Sequence, residues 1–324
     1  MNAGTPDART AELAARVAAT LSSRVAELTV LCVGQVTHDR YGADLVAGGC
    51  AYFGARCAQA LGAKVRLLTS VGADFSRDAD LAGLEVHAIR AGATTVFTNT
   101  YPEGGPRVQK IETVSPPIPL SELPAAWSRA DALLLAPVFG ELDAADPWFT
   151  AVDARVRAVC LQGFMKTADL ATGLVVAGPP LASLPFFHGA DAFFLSSEDI
   201  ACFGGPDLLD FLRGRARLVF VTHGERGCTI HTPDGTLHAG VFPTTAVDPT
   251  GAGDTFAAAT TCALAAGCDP LTAARLGAAA ASLVVEFEGS RDMPAVSGAW
   301  DRFRLFTCSR PSWERSSCDD PPPP

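Results

Sequence analysis

The clearest capacity for chemistry lies in residues 248–259, which read DPTGAGDTFAAA. Pro249, Gly251 and Gly253 break an extended run at 241–247. The Ala-rich segment 255–266 then reads as helix, because alanine loses least in that conformation. The turn sets the backbone N–H groups of Gly251, Ala252 and Gly253 at a helix start, where donors lack intrahelical partners and the helix dipole favours an anion. Asp254 shares this turn. A carboxylate beside an anion site is electrostatically costly unless it handles a proton. An anion hole with a base suits transfer of a phosphoryl group onto a hydroxyl. The plainer reading of the same residues is a turn closed by an N-cap.

Apolar strands alternating with Ala-rich helices would have to hold that turn. Residues 28–36, 65–71, 132–135, 158–161, 192–195 and 218–222 read as buried strands. Near-continuous apolar strands separated by helices predict a parallel sheet covered on both faces. Residues 94–111 break the rhythm with two β-rich arms around a Pro/Gly turn, a hairpin pattern. Residues 8–24 have helical periodicity with little hydrophobic bulk, so 1–25 reads as a helical N-terminal extension. One domain is expected over 26–305. The tail, 306–324, ends in DDPPPP and reads as disordered.

Composition narrows the function. The chain has 324 residues, 48% of them apolar, enough for a sizeable core. Its net charge of −10 argues against a nucleic-acid or membrane-surface partner. The ten cysteines are scattered, with no Cys-x-x-Cys, so structural zinc and a disulfide scaffold are not expected. The N-terminus lacks the apolar core of a signal peptide, and the expected setting is cytoplasmic. There is no Gly-x-x-x-x-Gly-Lys-[Ser/Thr], which excludes a P-loop. Phe256 stands where a dinucleotide fingerprint would need its third glycine, which counts against an oxidoreductase. Only 3 of the 25 basic residues are lysines, which reads as coding bias.

Residues 248–256 resemble the C-terminal signature of the ribokinase-like (PfkB) carbohydrate kinases, with Pro249 at a variable position. Gly48-Gly49, the small-residue helix after it, Leu61-Gly62-Ala63 and Val71-Gly72-Ala73-Asp74 are similar to the family's N-terminal pattern. The resemblance spans roughly residues 28–300. It implies a ribokinase-like α/β fold: a three-layer sandwich with a mostly parallel central sheet and a small β lid, here short, from about 39–48 and 93–112. It implies an ATP-dependent kinase in which Asp254 is the base and the 251–253 amides are the anion hole. Its substrate would be a small molecule with a hydroxyl group: a polyol, cyclitol, sugar or nucleoside.

Further residues carry roles by the same resemblance. Asp39 aligns with a substrate-binding Asp, and Gly48 and Gly49 with a hinge that helps bind the sugar. Asp248 would touch substrate or hold the turn, and the family often has a monovalent-cation site nearby. Thr222, Gly224 and Gly227 match an adenine-nucleotide segment, although Gly-x-x-Gly also fits many hairpins. Ser196 and Asp199 occupy the place of an Asn-x-x-Glu motif that organises Mg2+ and phosphate. Glu198 is a second metal candidate, and a helix start capped by Ser196 accounts for the same residues. Residues 278–289 resemble the helix and loop that close over adenine.

One departure concerns position 53. Many sugar kinases of the family place Asn four residues after the second glycine, where this chain has Phe53, which cannot bond sugar hydroxyls. With His38-Asp39 and Thr94-Thr95-x-Phe97, this resembles the myo-inositol kinase-like branch. Phe53 would also suit a stacked nucleoside base. A non-catalytic sensor that binds nucleotide or polyol is the alternative to a kinase, and monomer and homodimer both stay open.

Overall fold

A computed structural model describes residues 8–75, 77–100, 108–169, 171–181, 189–204 and 207–308. Its strands are β1 (Thr29–Val33), β2 (Thr37–Tyr41), β3 (Asp44–Gly48), β4 (Lys64–Gly72), β5 (Glu85–Ala91), β6 (Thr95–Thr100), β7 (Val108–Thr113), β8 (Ala132–Leu135), β9 (Val156–Cys160), β10 (Lys166–Ala168), β11 (Val175–Ala177), β12 (Ala192–Ser196), β13 (Leu218–Thr222), β14 (Cys228–Thr232) and β15 (Gly235–Ala239). Nine of them form one sheet in the order β15-β14-β13-β12-β9-β8-β1-β4-β5. It is parallel from β13 to β5, and β14 and β15 add an antiparallel edge.

Strand alternation divides the core. Val30, Cys32, Ala132, Leu134, Ala158, Phe194 and Phe220 face one apolar cluster. Leu31, Val33, Leu133, Leu135, Val159, Phe193 and Val221 face the other. The helices are α1 (Ala8–Ala26), α2 (Cys50–Ala60), α3 (Arg77–Asp80), α4 (Trp148–Ala151), α5 (Ser197–Asp199), α6 (Leu208–Arg213), α7 (Ala252–Ala265), α8 (Pro270–Val284) and α9 (Ala299–Cys308). α2, α7, α8 and α9 contribute to the first cluster, while α4 and α6 contribute to the second. Asp269 caps α8 by accepting from the Leu271 and Thr272 N–H groups, with Pro270 at the first helical position.

The architecture is the expected α/β sandwich around a mostly parallel sheet, and a separate sheet, β3-β2-β6-β7, stands where the lid is expected. This lid is fuller than the sequence reading suggests. Residues 37–48 make a two-stranded hairpin, and β2 pairs parallel with β6. The turn of the 94–111 hairpin, 101–107, lies outside the described residues, as does the tail from 309. Buried polar groups join lid to core. Gln35 donates to the Ser115 and Pro116 carbonyls and accepts from Thr95 Oγ1. Glu141 accepts from the N–H groups of Gln35, Val138 and Phe139.

Two local points go beyond the sequence reading. The extended run at 241–247 joins no sheet: Pro243 has no N–H to give, and the Val247 N–H bonds the Val285 carbonyl at the end of α8. The N-terminal helix is docked rather than appended. Its buried Ala18, Leu21 and Val25 belong to the first core cluster, and small side chains allow that close approach. No helix among the described residues is long and apolar enough to cross a membrane.

Candidate active site

A cleft of about 820 Å³ runs over the C-terminal ends of β9, β12 and β13 and under the lid. Its acceptor end is built by alternation in the lid. Asp39, Phe97, Asn99 and Gln109 line the cleft. The other face carries the Arg40–Glu112 ion pair, reinforced by Thr98. Asp39 is 6% exposed. Its carboxylate lies so close to Gly48 that a Cβ there would sit 2.4 Å from Oδ2. Gly49 caps α2 at φ 90, with a Cβ position 2.7 Å from the Gln35 carbonyl. The glycine pair therefore does steric work beside the substrate candidate Asp39.

The turn before α7 lies at the centre of the cleft. Gly251 caps the helix at φ 79, in the left-handed region, and a Cβ there would meet the Phe53 ring at 2.3 Å. Phe53, expected as a substrate contact, lines the cleft but is only 1% exposed and packs against this turn. Of the three amides expected in the anion hole, one is turned inward: the Ala252 N–H bonds the Pro249 carbonyl at 3.2 Å. The Gly251 and Gly253 N–H groups have no hydrogen-bond partner among the described residues. Asp254, half-buried, lines the same cleft and accepts from Gln162 Nε2 at 3.0 Å. Gln162 in turn accepts from Lys166 Nζ at 3.0 Å and donates to Cys50 Sγ. Burial first, then the Asp254 charge, pushes the Cys50 thiol well above its ordinary value.

Of the two readings of Asp248, its hydrogen bonds are those of a residue that holds the turn. Its Oδ2 accepts from Tyr41 Oη at 2.6 Å and from the Gly289 N–H at 2.9 Å, and its Oδ1 accepts from the Thr250 N–H at 2.9 Å. It joins lid, turn and the 286–292 loop, and it does not line the cleft. Burial acts to raise its carboxyl, but the bonds from Tyr41, Thr250 and Gly289 outweigh this and hold it below the ordinary carboxylate value. A depressed folded-state pKa contributes stability above the unfolded value, lost as pH falls through the folded one. All three partners donate, so Asp248→Asn must turn an NH2 against one of them. Chemical denaturation at pH 7 should show a loss of about 1–3 kcal/mol, and this gap should narrow as pH falls below about 4.

The nucleotide candidates line the other end of the cleft. Thr222, Gly224 and Gly227 sit at the turn between β13 and β14, where the His223 N–H bonds the Gly227 carbonyl. Residues 241–244 and Ala246 line the cleft together with Ala278, Ala281 and Ser282 of α8 and Val285 at its C-cap, a largely apolar slot. Below it, Phe256 stands edge-on to Phe194 and Phe220. At the start of α5, Ser196 and Asp199 form a reciprocal capping box. Asp199 is buried and Glu198 exposed, and both line the cleft. No cluster of three metal-ligating side chains occurs among the described residues.

Sequence reasoning missed Lys166 and Tyr41. Lys166 was legible as one of three lysines, placed inside an apolar run and only 6% exposed. Tyr41 gave no signal, because its partner lies 207 residues away.

Residues 199–296 match the pfkB family carbohydrate kinase family. That stretch is thus similar to the PfkB carbohydrate kinases, and the fold as a whole is ribokinase-like. It is 29% identical over 281 residues to an inositol 3-kinase of Arabidopsis thaliana, covering 82% of this chain and 76% of that protein. Among solved structures it is similar to a pyrophosphate-dependent kinase of the ribokinase family complexed with a pyrophosphate analog and myo-inositol. The TM-score is 0.69 at 20% identity, over 82% of this chain and 98% of the other. A ribokinase of Arabidopsis thaliana complexed with ribose and ATP gives a TM-score of 0.64 at 17% identity, over 85% and 98% of the two chains.

Proposed function

We propose that this chain is a kinase that moves the terminal phosphoryl group of ATP to a hydroxyl of a small neutral polyol, with a cyclitol favoured. The observation that carries the reading is the meeting of Asp254 with the Gly251 and Gly253 N–H groups in one cleft, between a polar acceptor end and an apolar slot. Asp254 takes the proton of the acceptor hydroxyl. The two amides stabilise the charge on the group in transfer, and the helix dipole of α7 acts in the same direction.

The acceptor end supports a polyol. Asp39, Asn99 and Gln109 supply acceptors and donors matched to several hydroxyls. A stacked nucleoside base has less support, because Phe53 packs against Gly251 and Phe97 is 1% exposed. The inositol kinase relative points the same way. The apolar slot against α8 suits a nucleobase and favours ATP over pyrophosphate as donor.

The cleft fits Mg2+ arriving on phosphate oxygens and water. Asp199 and Glu198 would be its protein ligands or hold its waters, since no three-ligand cage is present among the described residues. When bound, the ion neutralises charge on the terminal phosphates. Asp248 offers a monovalent cation little, since both its oxygens already accept protein donors.

A sensor that binds without turnover is the second reading, favoured by the Asp199 carboxylate being engaged in the capping box. A coupled ADP-release assay over cyclitols, linear polyols, sugars and nucleosides separates the two. The kinase reading expects stimulation of at least about tenfold by a neutral polyol. Binding without stimulation by any acceptor would establish the sensor.

A further inference from the structure

Resting on the reading of the cleft as a phosphoryl-transfer site, we infer that Gln162 is a positioning residue for Asp254 and that Lys166 fixes the orientation of Gln162. An ammonium only donates, so Lys166 Nζ, 3.0 Å from Gln162 Oε1, forces the amide oxygen toward itself. The NH2 must then face the other way, where its two hydrogens meet Asp254 Oδ1 and Cys50 Sγ. Every polar atom of the amide is assigned, and a flipped amide would place NH2 against the ammonium.

The backbone holds this chain of contacts. Gln162 lies in the 3-10 turn Leu161–Phe164 that follows β9, and Lys166 opens β10. Leu161, Phe164 and Met165 anchor the segment in the second core cluster, so the amide cannot follow Asp254 if the carboxylate swings. A base that takes a proton in a transfer step gains from a fixed carboxylate plane, and small misplacements lower the rate steeply. The titratable groups facing Asp254 are the Cys50 and Cys160 thiols on α2 and β9, both raised well above their ordinary value by burial. The Lys166 ammonium on β10, the Asp39 carboxylate on β2 and, toward the nucleotide end, Glu198, Asp199, His223 and Glu225 line the same cleft.

The test uses the full chain and a double-mutant cycle of Gln162→Met, Lys166→Met and both together. Each protein is followed by kcat, both KM values, the pH profile of kcat/KM and thermal unfolding. Gln162→Met should lower kcat about 30- to 100-fold with the nucleotide KM within about threefold. The acid limb should move to higher pH, because the carboxylate loses a donor that favours its charged form. Lys166→Met should lower kcat about tenfold, Lys166→Arg should recover most of that, and the double variant should be no slower than Gln162→Met. Should Gln162→Met unfold, Gln162→Glu keeps the volume and the Lys166 bond but faces Asp254 with a like charge. It should move the acid limb further up.

Losses that multiply in the double variant would overturn the inference, because Lys166 would then act independently of Gln162. A Gln162→Met protein with unchanged kcat and a raised acceptor KM would overturn it too, making Gln162 a plain substrate contact. An inactive wild type over the whole acceptor panel overturns both the functional reading and this inference. An active wild type with multiplying losses overturns the inference alone.

Discussion

Asp254→Asn is expected to lower kcat by about 10³-fold and leave nucleotide affinity within a few-fold of wild type. The substitution is isosteric. The Asn carbonyl can still accept the Gln162 amide, now 3.0 Å from Oδ1, so the turn and its neighbours should keep their places. What disappears is the ability to take a proton. In the proposed reading the nucleotide would be held by the Gly251 and Gly253 amides, the hairpin at 222–227 and the α8 side of the cleft, none of which depends on that proton. Coupled ADP release gives the turnover, and titration with a non-hydrolysable ATP analogue gives the affinity. Turnover within about tenfold of wild type in a folded variant would remove Asp254 from the base role.

The second large effect concerns Gly251. Gly251→Ala puts a Cβ on a residue at φ 79, which costs about 1–2 kcal/mol. It also drives that Cβ into the Phe53 ring at 2.3 Å, adding about 1–3 kcal/mol of overpacking. The turn is expected to shift rather than the ring, since Phe53 is locked in α2 and fully buried. Denaturant unfolding should show a loss of about 2–5 kcal/mol. The rate should fall about 100-fold, as removal of an oxyanion donor does. Adding Phe53→Leu makes room and should return part of both losses. Independent effects of the two substitutions would mean that Phe53 does not support the turn.

These expectations show what the sequence carries and what it leaves out. The parallel strands were legible because each is a short apolar run buried on both faces, and 132–135 and 218–222 match their observed bounds. The anion turn was legible because its glycines, its carboxylate and the helix after it are contiguous. Groups whose partners come from far along the chain were not. Asp248 reads as a site residue until Tyr41 and Gly289 are seen to claim its oxygens. That Phe53, which lines the cleft, also supports the Gly251 turn was hidden until the two were seen in contact. The sequence also could not tell which amide of the turn would be tied back to Pro249, since that depends on the φ of Gly251. The docking of α1, though not the helix itself, was hidden for a different reason: two of its four buried residues, Ala14 and Ala18 beside Leu21 and Val25, are alanines, which pack closely yet give little hydrophobic signal.

The most direct measurement is the crystal structure of the chain with ADP, Mg2+, a planar phosphoryl mimic and a neutral polyol. The account predicts mimic oxygens within about 3 Å of the Gly251 and Gly253 N–H groups. It also predicts an acceptor hydroxyl on Asp254, with the Asp254–Gln162–Lys166 chain unbroken. A mimic bound away from these amides, with Asp254 turned out of the cleft, would contradict it.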